Sequence, residues 1–294
     1  ALSSGLLLYG CSLIYGFSGS TNFETIALAV NDNQFGTIFG IVFIIVGLSF
    51  KISAVPFHMW APDVYEGSPT SVTLFFSIVP KIAALTVFIR FLYVPFLNLI
   101  DQWQLILVFL SIASMILGSV AAIGQNNLKR LIAYSSISHI GYALAGLSTG
   151  TNIGIQSSII YMSIYSIMNL GFFSCLFMIK RNDIYFENND DLSGLSKNHP
   201  LIALSLLVIL FSLAGIPPMA GFFAKFYIFK AVLQQSMYFL AIIGLLSTVL
   251  AAFYYLRIVK IMYFDSEKEK YDSDYTFGLK FTLTLSTILI LFYF

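Results

Sequence analysis

The run FIIVGLSFKISAVPFHMWAPDVYEGSPT, Phe43 to Thr70, places a lysine after eight mostly apolar residues and a proline five residues beyond it. An ammonium at bilayer mid-depth costs at least about 2.5–3.5 kcal/mol on insertion scales. Proline removes a backbone donor and breaks the helix around it, freeing carbonyls that hydrocarbon cannot satisfy. Lys51 and Pro56 together therefore define an interrupted membrane helix, the kind of element that lines a hydrated cavity.

The rest of the chain agrees with a membrane setting. Of 294 residues, 58% are hydrophobic and 10% charged, against roughly 25% charged in a soluble domain. The net charge of +1 provides no basic surface for nucleic acid, so partners are sought in the membrane. Cys11 and Cys175 lie in apolar segments without metal or disulfide spacing and read as small hydrophobes. No basic signal segment opens the chain. It starts at Ala1 within an apolar run, which reads as a processed, truncated or partial chain.

A crossing needs about 20 apolar residues for about 30 Å of hydrocarbon. That ruler predicts spans over 2–17, 35–60, 70–97, 103–124, 131–148, 154–180, 200–231, 236–264 and 275–294. With alternating directions, one set of connections and flanks holds Lys129, Arg130, Lys180, Arg181, Lys197, Arg257, Lys260, Lys268, Lys270 and Lys280. The other set holds only Arg90 and Lys230. This bias puts the first set on the cytoplasmic or matrix side. Residues 35–60 and 200–231 would reach about 39 Å and about 48 Å as unbroken helices, so each must tilt or break. Both contain the breaker, Pro56 in one and Pro217-Pro218 in the other. The expected fold is all-α, a polytopic transmembrane bundle of two five-helix units, each with a broken fourth helix and the first short of its opening helices.

Lys51, Lys81 and Lys225 lie well inside apolar segments. Arg90, Lys230 and Lys280 sit near segment ends, where snorkelling accounts for them. A desolvated amine can gain and lose a proton, provided an acid or a hydrated path is near. His58 follows Lys51 by seven residues and could relay protons, or it could satisfy a carbonyl freed beside Pro56. Ser135, Ser138, His139 and Tyr142 form one polar stripe, readable as hydrogen-bonding glue between helices or as a water-lined relay. Asp63 and Glu66 fall in a connection, and no acid lies deep in an apolar segment. Three histidines, one of them His199 in a connection, argue against haem. No Gly-rich phosphate loop, HExxH or serine nucleophile is present. No cofactor or metal is expected.

KISAVPFHMWAPDVYEGSPTSVTLFFSIVPKIAA (51–84), NNLKRLIAYSSISHIGYALAG (126–146) and LAGIPPMAGFFAKFYIF (213–229) resemble the subunit 2 family of respiratory NADH:ubiquinone oxidoreductase, complex I, an antiporter-like membrane subunit. The resemblance runs over essentially the whole chain, and ALSSGLLLYGCSLIYGFSGSTNF (1–23) fits that family's sixth helix. It implies a fourteen-helix core with two inverted five-helix repeats, of which this chain carries the sixth helix onward. Residues 1–97 would close the first repeat, 98–264 form the second, and 265–294 carry a loop and the terminal helix. The resemblance assigns proton translocation to Lys51 as charge switch, Lys81 as central relay and Lys225 as gate to the exit side, with His58 and His139 at matching positions. The glutamate that pairs with the first lysine would precede Ala1, so a separate polypeptide or missing segment would supply it, and Glu24 cannot replace it. Partners would be the other membrane-arm subunits and lipid. Pro80, directly before Lys81, should free the Phe76 carbonyl. Richness in Phe, Tyr, Ile and Asn points to an AT-rich genome and the mitochondrial inner membrane, with a bacterial plasma membrane as the alternative. A free-standing cation/proton exchanger and a structural spacer are the competing functions.

Overall fold

The computed structural model describes residues 2–30, 35–181, 184–266, 271–272 and 275–293. Lys268 and Lys270, counted above in the charge bias, lie outside the described residues, as do both chain termini. The side chain of Arg181 is likewise outside them.

The helices are α1 (Leu2–Ser18), α2 (Phe23–Ala29), α3 (Phe35–Ile52), α4 (Trp60–Gly67), α5 (Thr70–Tyr93), α6 (Ile100–Ile123), α7 (Leu128–Leu147), α8 (Asn152–Met178), α9 (Leu195–Asn198), α10 (Pro200–Ala214), α11 (Ala220–Gln234), α12 (Tyr238–Phe264) and α13 (Phe277–Leu291). A small antiparallel hairpin pairs Lys180 with Tyr185 and Arg181 with Ile184. The α3, α5, α8 and α12 helices, and the run Leu97–Ile123 that includes α6, are each long and apolar enough to cross a membrane. The α1, α10 and α13 helices are shorter and apolar.

Both predicted interruptions are present. The first follows Ile52, where Ser53 adopts a left-handed φ of +58° and residues 53–59 leave the helix. Its loose backbone is tied down from outside: Ser114 Oγ of α6 accepts from the Val55 amide at 2.9 Å, and Trp60 Nε1 donates to the Phe50 carbonyl at 2.9 Å. The second separates α10 from α11, with Gly215 at φ +87° closing α10. Two stretches read as connections prove helical. Residues 61–69 belong largely to α4, and α2 forms because the Asn22 side chain accepts from the amides of Glu24 and Thr25, capping its first turn.

The α7 helix runs through the centre, buried from Leu131 to Leu147 apart from partial exposure at Tyr134. Close backbone approach puts it there. A Cβ on Gly118 of α6 would stand 2.5 Å from the Ser138 nitrogen, and one on Gly141 would stand 2.9 Å from the Met115 nitrogen. Without a hydrophobic drive between helices in lipid, such small-residue crossings and interhelical hydrogen bonds provide the cohesion. Ser111 Oγ donating to the Gly141 carbonyl at 2.7 Å is one of these bonds. Gly10 and Gly40 make the equivalent approach between α1 and α3.

Candidate functional site

Lys81 sits one residue past Pro80 in α5 and is fully buried. Proline leaves the Phe76 carbonyl without its helical donor, and Tyr65 Oη of α4 donates to that oxygen at 3.1 Å. The same tyrosine ring lies 5.4 Å from the Lys81 ammonium, a cation–π arrangement that is strongest when desolvated. Lys81 Nζ donates to Ser136 Oγ of α7 at 2.5 Å. Tyr65 thus repairs the helix and forms one wall of the lysine site.

Lys225 lies on α11 and reaches back across the second interruption. Its ammonium donates to the Leu213 and Ala214 carbonyls at 3.2 and 2.9 Å, the open acceptors at the end of α10. A helix carboxyl end carries partial negative charge, so the break itself holds the cation. Ser212 Oγ accepts from the Gly221 amide at 3.0 Å, pinning the two half-helices together. Lys225 Nζ also stands 5.2 Å from the Tyr142 ring.

His139 of α7 lies between these sites, about one helical turn from Ser136, which bonds Lys81, and about one turn from Tyr142, which faces Lys225. Its Nδ1 is 2.7 Å from Tyr161 Oη and its Nε2 is 3.3 Å from Tyr255 Oη. Tyr255 Oη also pairs with Ser135 Oγ. The Tyr165 ring centroid is 5.0 Å from that of His139. Tyr142 Oη reaches Thr248 Oγ1 at 2.9 Å and the Gly244 carbonyl at 3.1 Å. Three hydroxyls in this cluster, those of Ser138, Tyr165 and Tyr254, are buried without a hydrogen-bond partner among the described residues. Buried polar groups of this kind are normally satisfied. Protonatable and hydroxyl groups therefore run from Lys81 through Ser136 and His139 to Lys225 with no carboxylate paired to either lysine among the described residues.

Lys51 is placed differently from Lys81 and Lys225. It is exposed rather than buried. The α3 helix touches α1 closely at Gly47, beside Leu7, and Lys51 lies about one turn further along α3 with its side chain turned outward. His58 does not share a helical face with it, because α3 ends at Ile52 and the register between them is lost. The imidazole is half-buried. The structure gathers Lys81, His139 and Lys225 and leaves Lys51 and His58 outside that group.

Tyr65, Ser136, Tyr161, Tyr165, Tyr254 and Tyr255 escaped the sequence reading. Their signals were available in Tyr161 and Tyr165 at i and i+4 and in the Tyr254-Tyr255 pair. The acids of the PDVYEGSP run also find their purpose. Arg130 at the start of α7 bonds Asp63 at 2.8 Å and Glu66 at 2.7 Å. Beside it, the buried Lys129 pairs with Glu187 at 2.7 Å and donates to the Ser68 carbonyl at 2.9 Å. This clamp fixes α4, and with it Tyr65, against α7. No group of three or more metal-binding side chains occurs among the described residues.

The family model described as NADH:quinone oxidoreductase/Mrp antiporter, TM, matches residues 1–251. A curated relative, the NADH-quinone oxidoreductase subunit N of Pelagibacter ubique (strain HTCC1062), is 78% identical over 294 residues, covering 100% of this chain and 62% of the relative. The chain spans about three fifths of the length of such relatives. Among solved structures, a chain of respiratory complex I from Thermus thermophilus with bound aureothin is 30% identical with a TM-score of 0.85, covering 99% of this chain and 63% of that one. A chain of the Mrp complex from Dietzia sp. DQ12-45-1b is 28% identical with a TM-score of 0.83, covering 93% and 50%.

Proposed function

The chain belongs to the NADH:quinone oxidoreductase/Mrp antiporter transmembrane family, and from that premise we propose that it translocates protons as a membrane-arm subunit of a respiratory NADH:quinone oxidoreductase. The observation that supports this reading is the pair of buried ammoniums, Lys81 and Lys225, flanking His139 with no carboxylate paired to either among the described residues. An amine held by a hydroxyl or by carbonyls, rather than by a fixed anion, can release its proton without leaving an unpaired carboxylate in a dry site. The protein holds and moves protons, and redox chemistry belongs to other subunits.

In this proposal Lys81 is the central relay and Lys225 the gate towards the exit side. Lys51 is the charge switch, completed by a carboxylate from a further segment or polypeptide packed on its exposed face. Partners are the remaining membrane-arm subunits. Residues 1–97, 98–264 and 265–294 are the end of the first repeat, the second repeat and the terminal element. The curated relatives are bacterial, which offers no support for the mitochondrial inner membrane and favours a bacterial plasma membrane.

The assembled complex in proteoliposomes, given NADH and quinone, provides the test. Lys51→Met, Lys81→Met and Lys225→Met should each lower proton uptake, with Lys81→Met and Lys225→Met removing the larger part. Normal pumping in an assembled Met variant would falsify that lysine's assignment. A second reading, a free-standing cation/proton exchanger, draws on the likeness to the Mrp complex chain. It requires exchange in liposomes containing this protein without the redox arm.

A further inference from the structure

Remote from the central lysines, a cleft of about 420 Å³ lies between the start of α10 and the start of α13. Its lining joins apolar and polar side chains. Buried Met178, Ile202 and Leu283 line its apolar part, while Asn198, His199 and Lys280 stand at its polar end. His199 is held in place there: its ring lies 6.0 Å from that of Tyr271 and 6.1 Å from that of Tyr275, and Tyr275 Oη is 3.3 Å from His199 Nδ1. The Lys280 ammonium lies 5.9 Å from the Tyr275 ring centroid, which keeps a flexible cation over the polar end of the cleft.

The surroundings say what the cleft faces. Leu201, which lines the cleft, and Leu204, Phe277 and Phe281 on the flanking helices are all more than half exposed, an apolar surround suited to hydrocarbon rather than water. Lys280 belongs to the basic side of the membrane as assigned from the charge bias. A soluble anion would satisfy the polar end and leave the apolar floor unexplained, and an apolar helix would leave the polar lining unmatched. A basic pocket between transmembrane helices at this face matches an anionic lipid head group.

We propose that this cleft binds an anionic diacyl phospholipid, its phosphate against Lys280, His199 and Asn198 and one acyl chain along Ile202 and Leu283. The site requires only that the chain spans a bilayer and is independent of the proton-handling assignment.

The test uses the assembled complex in nanodiscs of phosphatidylcholine carrying a trace of photoactivatable phosphatidylglycerol, with labelled peptides identified by mass spectrometry. Peptides from α10 and α13 should be labelled, and unlabelled phosphatidylglycerol should compete while phosphatidylcholine and inorganic phosphate do not. Lys280→Gln should weaken labelling about fivefold, the effect of one interfacial cation worth about 1 kcal/mol. Lys280→Arg should retain it, and Ser205→Phe, which fills the cleft, should abolish it. Absence of label at these peptides, no competition by unlabelled phosphatidylglycerol, competition by added phosphate, or full labelling of Lys280→Gln each overturns the proposal. The competition arms use the unaltered complex, so they decide the matter even where a variant fails to assemble.

Discussion

Tyr65 carries two duties on one side chain, and they can be separated. Its hydroxyl satisfies the Phe76 carbonyl at 3.1 Å, and its ring faces the Lys81 ammonium at 5.4 Å. Tyr65→Phe keeps the ring and orphans the carbonyl, so it should cost about 1–3 kcal/mol in stability. Proton uptake by the assembled variant should survive. Thermal unfolding in detergent checks the first and the proteoliposome assay the second. Ser136→Ala acts the other way: it removes the side-chain acceptor that Ser136 offers to Lys81 with little change in volume. Pumping should fall in that variant while assembly is kept, and unchanged pumping would remove Ser136 from the path. Neither residue was legible beforehand. Ser136 sits beside the polar stripe read from the α7 sequence rather than on it, and a tyrosine in a connection carries no mark of which distant carbonyl it will meet.

At the scale of elements, the two interruptions are held by different means. The first is bound by groups from its neighbours, Ser114 of α6 and Trp60 of α4. The second is bound by Ser212 and by Lys225 itself. Losing Lys225 therefore removes a donor from the carbonyls that end α10 as well as a proton carrier, so assembly must be measured alongside pumping in any Lys225 variant. The α4–α7 clamp is more exposed, with Asp63 71% and Glu66 42% accessible. Arg130→Ala should cost about 1 kcal/mol or less, because solvent screens such pairs. A thermal midpoint shift larger than a surface pair explains would show that the clamp acts cooperatively with Lys129 and Glu187. The α6–α7 crossing tolerates far less. Gly118→Leu drives a side chain into the backbone at Ser138 and should destabilise by about 1–3 kcal/mol or more, read as loss of assembled complex.

For the molecule as a whole, local composition determined a great deal. Helix class, both break points and the identity of the buried cations Lys81 and Lys225 follow from the cost of placing charges and open carbonyls in hydrocarbon, which depends on residue type and position along the chain. The PDVYEGSP acids were visible too, but as a connection. Only the tertiary structure decided which hydroxyls and aromatic rings surround each cation, that α7 is the enclosed centre, that Asp63 and Glu66 hold Arg130, and that Lys51 lies on an exposed face of α3. Those outcomes depend on helix rotation and crossing points. They are set by close approaches such as Gly118 on Ser138 and Gly47 on Leu7, between residues that the sequence keeps tens of positions apart, and no local pattern encodes which of them will meet.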